Sequence, residues 1–330
     1  MNPVPPVTNA RTLAILAVIF MPMWSAEFPL IGAGGEPVDL RRTFFSHGVA
    51  ELPPMRVDPD ARWFEVTLAI ERAGARTLHI EPGRNGFGLM TARGRAPSSR
   101  AEPRFIAAVR HVLSMDTDLS GFYSIAASDP ELAWAAKGAG RMIRSPTVFE
   151  EVVKTICTTN CAWSATTRMV SALVEHLGDK APGAPDSGPG GRAFPTPEAM
   201  AGSTEGFYRE VVRAGYRGRY LLELSCSVAE GAVDLEALGR ATQDDLSDTE
   251  VEAGLLALPG VGPYAAAHVM MMLGRHSKLI LDSWTRPTYA KLVGRKAVKD
   301  STIQRRFKPY GRYAGLAFWL FLTRGWVNEG

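Results

Sequence analysis

The segment Leu258-Pro259-Gly260-Val261-Gly262-Pro263-Tyr264 constrains the fold of this chain more than any other. It lies between two apolar-periodic stretches, and the second opens on Pro263, whose fixed φ suits the first position of a helix. The pattern therefore reads as helix, tight hairpin, helix. The two glycines allow a sharp turn and a close backbone approach, and the N–H groups that open the second helix point outward as an anion site for which a nucleic-acid phosphate is the natural occupant. A glycine turn joining two core helices satisfies the same spacing.

The rest of the sequence divides by period. Residues 39–45, 63–70, 77–80 and 86–91 alternate or turn in the manner of strands, with Gly, Pro and Asn between them. From residue 102 onward helical spacing takes over, with helices expected at 102–114, 130–137, 147–159, 162–177, 208–213, 220–228, 251–256, 263–273, 283–292, 302–307 and 315–323. The expected fold class is α+β: an N-terminal antiparallel β-sheet domain over 31–115, then a larger all-α domain over 116–330. Residues 1–30 read as an extension, and 178–195, rich in Gly, Pro and Asp, as a flexible loop that carries no chemistry.

Composition excludes little. The chain has 330 residues, 46% of them hydrophobic, which suffices for a full core, and its net charge of +3 neither requires nor forbids a polyanionic partner. Cys157, Cys161 and Cys226 are too few for a disulfide framework and lack zinc-finger spacing, so they read as reduced, buried thiols and no metal site is expected. Residues 12–24 look like a short signal-peptide core but fall well short of the roughly 20 residues that span a bilayer. A start placed too far upstream, with Met21 or Met23 as the true one, is the plainer reading and is preferred over secretion. The remainder reads as a cytoplasmic protein, nucleoid-associated in a bacterium, with no membrane partner.

One helix past the hairpin, the apolar run Leu279-Ile280-Leu281 delivers Asp282 just before Ser283-Trp284-Thr285-Arg286. Alone, this aspartate is an N-cap. A Leu-Pro-Gly-Val-Gly hairpin followed by an aspartate at this distance resembles the helix-hairpin-helix DNA glycosylase superfamily. The resemblance extends over nearly all the chain beyond its first thirty or so residues. It implies that Asp282 is the catalytic carboxylate, that Gly260, Val261 and Gly262 grip a phosphate of double-stranded DNA, and that Arg286 lies among the DNA contacts. Two further segments are similar to 8-oxoguanine DNA glycosylases: Gly215-Tyr216-Arg217-Gly218-Arg219-Tyr220, whose tyrosine wedges beside the lesion, and Thr158-Thr159-Asn160, whose asparagine fills the gap left by the flipped base. Tyr216, Asn160 and Arg217 are thus DNA-contact candidates, while a packed tyrosine and a solvated arginine are the plainer readings. Phe194-Pro195-Thr196-Pro197 and the stretch from Phe307-Lys308-Pro309-Tyr310 to Gly325-Trp326 resemble the bacterial 3-methyladenine DNA glycosylase II family instead.

Departures narrow the expectation. Members that also cleave the backbone carry a lysine two residues past the second hairpin glycine, where its amine forms a Schiff base. Tyr264 stands here, which implies a monofunctional enzyme with an aromatic surface for a cationic alkylpurine. Phe318 replaces an expected base-reading glutamine and Ala165 an expected arginine, so 8-oxoguanine readout is weakened. With Tyr264, the residues His268, Trp163 and Phe318 are expected to line the base pocket; a histidine satisfied in the core and a core tryptophan are the alternatives for His268, Trp163 and Trp284. The four-cysteine iron–sulfur loop of other relatives is absent, so no such cluster is expected, and the resemblance allows a monovalent cation at the hairpin carbonyls. The expected function is excision of a damaged, alkylated purine by a monomer acting on duplex DNA. An 8-oxoguanine-type enzyme, with or without lyase action, and a non-catalytic lesion-sensing protein are the alternatives.

Overall fold

The computed structural model of the chain describes residues 23–70 and 73–326. The apolar run at 12–22 and most of the stretch read as an extension lie outside the described residues. The last part of that stretch is nevertheless structural: Met23–Pro29 forms β1, which pairs with β5 from Met23 opposite Arg93 to Pro29 opposite Phe87.

The sheet is antiparallel and five-stranded. Its other strands are β2 (Met55–Val57), β3 (Phe64–Ile70), β4 (Gly74–Pro82) and β5 (Phe87–Arg93), in the spatial order β1-β5-β4-β3-β2. Asn85 and Gly86, both with positive φ (53° and 80°), make the tight turn between β4 and β5 that such a hairpin requires. Residues 39–45 are not a strand: Leu40–Phe44 is a helix, α1, and the Asp39 carboxylate accepts from the Arg42 N–H at 3.0 Å. Leu40 and Phe44 are the buried pair, four apart, and the N-cap aspartate takes precedence over the aromatic β propensity. One face of the sheet buries Phe64, Val66, Leu78, Ile80 and Met90 against Phe105, Val109 and Val112 of α2 (Glu102–Val112).

After α2 the chain is helical among the described residues: α3 (Ser120–Ala126), α4 (Val148–Thr158), α5 (Trp163–Leu177), α6 (Pro197–Ala201), α7 (Arg217–Ala229), α8 (Leu235–Arg240), α9 (Asp248–Leu256), α10 (Pro263–Met272), α11 (Thr285–Leu292), α12 (Asp300–Phe307) and α13 (Ala314–Thr323). The helix α10 lies between two apolar cores. Ala266, Val269 and Met270 join the core of α4, α5, α7 and α9, while Ala267, Met271 and Met272 join that of α3, α11, α12 and α13. No helix among the described residues is long and apolar enough to cross a membrane. The Gly/Pro loop is less open than its composition implies. Its ends pair at Lys180 and Arg192, the Glu175 carboxylate accepts from the Gly188 N–H at 2.7 Å, and Ala181 and Ala193 are buried against Ala75 of β4.

The sheet and helices are also joined by a buried ion pair. Arg141 and Glu36 have side chains 0% and 5% exposed and meet at 2.5 Å; the Leu119 N–H also donates to Glu36 at 2.7 Å, and Arg141 donates to the carbonyls of Ser114 and Thr117. Burial pushes the Glu36 carboxyl up, but the backbone N–H bonds and the Arg141 guanidinium outweigh it and hold it below its ordinary value of 4.5. A carboxyl lowered on folding contributes stability above its unfolded value and loses it as pH falls through the folded one. Glu36→Gln is therefore expected to destabilise the protein by about 3–5 kcal/mol at pH 7, because Arg141 is left buried without its counter-charge. Denaturant titration checks this, and the gap between variant and wild type is expected to close as the pH is taken below 4.5.

Candidate active site

The hairpin is built as its residues require. Ser247 and Glu250 close a capping box that starts α9, and the chain turns through Leu258 and Val261, both buried in the core. Gly260 has φ of 77°, and a Cβ there would lie 2.8 Å from the Tyr220 ring, so both backbone and space demand glycine. Gly262 differs. Its φ is −105° and a Cβ would meet nothing within 4 Å, so the fold does not need glycine there. As the N-cap of α10 it makes no side-chain bond, and the helix N-terminus stands open.

Asp282 sits where α11 begins. The N–H groups of Trp284 and Thr285 both donate to Oδ1, at 2.8 and 2.6 Å, and the Asp282 N–H donates to Thr285 Oγ1 at 2.8 Å. This is a cap, as the isolated sequence suggests, but it engages one oxygen only: Oδ2 has no hydrogen-bond partner among the described residues. The carboxylate is half-buried and close enough to act on two groups of α10. Burial pushes the Tyr264 phenol up and the Asp282 charge adds to that, against a hydrogen bond between Tyr264 Oη and Thr158 Oγ1 at 3.3 Å. Burial also lowers His268 from 6.5, against the charges of Glu151 and Asp282. The Tyr264 and His268 rings are 6.2 Å apart, and the His47 ring meets His268 edge-on at 5.9 Å.

The other sequence candidates divide. Asn160, exposed and with φ of 46°, donates to Tyr216 Oη at 3.4 Å, so the expected gap-filler and wedge stand side by side. Tyr216 is 55% exposed after Gly215, whose φ is 58°. Arg217 is not a free contact: it is buried, donates to Thr159 Oγ1 and the Thr159 carbonyl, and lies 4.6 Å from the Tyr216 ring centre. It builds the turn that presents Asn160 and Tyr216. Arg286 is held bidentate by Asp300 at 2.8 and 2.9 Å. Trp163 is 45% exposed and lies against Gly48, at the rim beside His47. Phe318 is not in the pocket. It is wholly buried 5.2 Å from the Phe307 ring, because the apolar α13 turns that position into the core. The next residue, Trp319, turns another way: its indole donates to the Ser46 carbonyl at 2.8 Å and packs with Trp284 and Trp326. Reading the sequence did not bring His47 or Glu151 beside His268, where the structure puts them. For Glu151 a signal was present, since Glu150, Glu151, Lys154 and Thr155 interrupt an otherwise apolar helix.

No family model matches the chain, and no curated protein does. Solved structures do. The 8-oxoguanine glycosylase/lyase of Clostridium acetobutylicum in its apo form superposes with a TM-score of 0.67 at 18% identity, over 92% of this chain and 98% of that one. The same clostridial protein with double-stranded DNA containing cytosine opposite 8-oxoG gives 0.65 at 18%, over 87% and 92%. The 3-methyladenine DNA-glycosylase of Archaeoglobus fulgidus gives 0.67 at 19%, over 92% and 100%. The chain therefore has the fold of the helix-hairpin-helix DNA glycosylases, from its N-terminal sheet through its helices.

The contrast between the hairpin glycines is measurable. Gly260→Ala is expected to destabilise the protein by about 1–3 kcal/mol, the range for backbone strain and overpacking. Gly262→Ala is expected to change stability by less than about 0.5 kcal/mol, as surface substitutions usually do. Paired urea titrations distinguish the two.

Proposed function

We propose that the protein is a monofunctional DNA glycosylase that flips a damaged purine out of duplex DNA and hydrolyses its N-glycosidic bond, with Asp282 as the essential carboxylate. The observation that carries this reading is the half-engaged Asp282. Two backbone N–H groups orient it through Oδ1, Oδ2 is without a hydrogen-bond partner among the described residues, and the charge of the carboxylate reaches the Tyr264 phenol just past an open helix N-terminus. A cap alone needs no second oxygen in that place.

The chemistry follows from the charge. As the base departs, positive charge builds on the deoxyribose, and a carboxylate in a site screened from water stabilises that state more than the ground state. The same group orients or deprotonates the attacking water. Flipping costs a few kcal/mol, least for damaged or mispaired bases. Tyr216 and Asn160 offset it as wedge and gap-filler, presented together by Arg217. The open N-terminus of α10 receives a DNA phosphate. Tyr264 offers its ring to the flipped base, and a cationic alkylpurine gains about 0.5–2 kcal/mol from such a contact. A phenol cannot form an imine, and the nearby lysine of α4, Lys154, is wholly buried and paired with Glu150 at 2.6 Å. Hydrolysis without strand cleavage follows.

Asn caps a helix as well as Asp does, which separates the two roles of Asp282. Asp282→Asn is expected to leave stability within about 0.5 kcal/mol while single-turnover excision falls a hundredfold or more, as for loss of other electrostatic stabilisers. Asp282→Ala is expected to lose the cap as well, about 1 kcal/mol. The assay uses duplexes carrying hypoxanthine, 1,N6-ethenoadenine, 3-methyladenine, 8-oxoguanine or uracil, with alkali added afterwards. Strand breaks that need alkali support the reading; breaks without alkali contradict the role given to Tyr264, and no excision of any of these bases contradicts the glycosylase reading.

A further inference from the structure

Behind Tyr264 the seam between α4 and α10 carries ionisable groups that the reading above does not use. Glu151 is 1% exposed; Oε2 accepts from the Ser145 N–H at 2.9 Å, and Oε1 has no hydrogen-bond partner among the described residues. Oε1 lies 3.8 Å from His268 Nε2, which is also buried and unpartnered. His47 donates from Nε2 to the Ile143 carbonyl, so Nδ1, again buried and unpartnered, is left as an acceptor. Ser145 Oγ and Thr155 Oγ1 belong to the same group, as do Glu150 Oε1 and Lys154 Nζ of α4, which form an ion pair at 2.6 Å. Each such group costs about 1–3 kcal/mol if left unsatisfied, so a cluster of them in a packed core calls for a purpose.

The seam has two ends. At the hairpin end, Thr158 of α4 meets Tyr264 of α10. At the other, Thr147, Val148, Met272 and Leu273 line a cleft of about 620 Å³ whose wall includes Ser145 and Glu151. The cleft lies about 15 Å from the hairpin, the length of a ten-residue helix at 1.5 Å per residue. In the glycosylase reading DNA lies on the hairpin, at the opposite end of α10 from the cleft.

We propose that Glu151 and His268 form a proton relay from this cleft to the departing base, and that the substrates therefore include neutral purines such as hypoxanthine. The inference rests on the glycosylase reading. In the step, the water oxygen bonds to C1′ and its proton passes to Asp282; the C1′–N9 bond breaks and its electron pair stays on the base. A neutral purine leaves as an anion and needs a proton, which the His268 N–H supplies while the other ring nitrogen takes one from the Glu151 side. Glu151 is replenished from the cleft, and Asp282 returns its proton when product leaves. A cationic alkylpurine leaves neutral and needs none of this. The groups around His268 are Glu151 and, through His47, Lys154 from α4, His47 from the loop before β2, Tyr264 on its own helix and Asp282 ahead of α11. Burial keeps both imidazoles neutral at pH 7, His47 being lowered to about 4, and a neutral imidazole passes a proton from one nitrogen to the other.

The test compares Glu151→Gln with wild type on duplexes carrying hypoxanthine and 7-methylguanine at pH 7. Hypoxanthine excision is expected to fall roughly a hundredfold, as for loss of general acid catalysis, while 7-methylguanine excision stays within about threefold and reports that the variant is folded. Equal losses on both bases, or no loss on either, overturn the relay and leave the glycosylase reading standing. Wild-type excision of 7-methylguanine alone also overturns it. Should only hypoxanthine be excised, the rate–pH profile decides: a wild-type rate flat between pH 6 and 8 beside a variant rate that climbs as pH falls supports the relay, and profiles of one shape refute it. Excision of neither base contradicts the parent reading itself.

Discussion

The burial of α10 between two apolar cores governs the rest of the structure. From Ala265 to Met272 every residue of this helix is buried, and the three alanines allow its neighbours to pack on both sides. A helix held in this way cannot shift, so the hairpin at its N-terminus and the side chains of Tyr264 and His268 are fixed in space. Burying a helix on all sides gains apolar contact but leaves any polar side chain on it without solvent. His268 is that side chain, and it lies among other buried polar groups.

The same rigidity bears on the two purposes proposed for Asp282. Capping holds Asp282 through Oδ1 and sets its orientation, and the carboxylate's charge reaches Tyr264 and His268 of α10. In the proposed reaction a structural hydrogen bond thus orients the reacting carboxylate, and a motif with an ordinary structural meaning takes on a chemical one. The Arg217 contacts work similarly. A buried guanidinium fixes the turn that carries Asn160, and Tyr216 lies under the same cation. The sheet is anchored to these helices by the Glu36–Arg141 pair, in which the Leu119 N–H donates to Glu36 and the Ser114 and Thr117 carbonyls accept from Arg141.

Much was legible from local rules. The hairpin, the aspartate one helix later, three of the strands and most helices follow from turn residues, period and caps, which act over a few residues. The strand expected at 39–45 failed because a cap and an i,i+4 pair decided against alternation. The strand β1 was hidden in a stretch whose composition resembles a leader, and β2 has only three residues, too few to show a period. The Gly/Pro loop was read as unattached because its ties are backbone bonds and small alanines, which leave little mark on composition.

By itself the sequence determined the α+β order, the glycine hairpin, and the carboxylate at the start of α11, since each depends on neighbours a few residues away; that Gly260 and not Gly262 must be glycine depends on Tyr220, forty residues back. Only the tertiary structure decided which side chains share a site. Helix rotation turned Phe318 into the core and Trp319 toward Ser46, a difference of one residue that an apolar helix does not encode. Packing spent Arg217 on Thr159 and Arg286 on Asp300, and it brought His47 and Glu151 to His268 from positions more than a hundred residues away in the chain. Contacts of that range arise from the way helices pack, and no local pattern carries them.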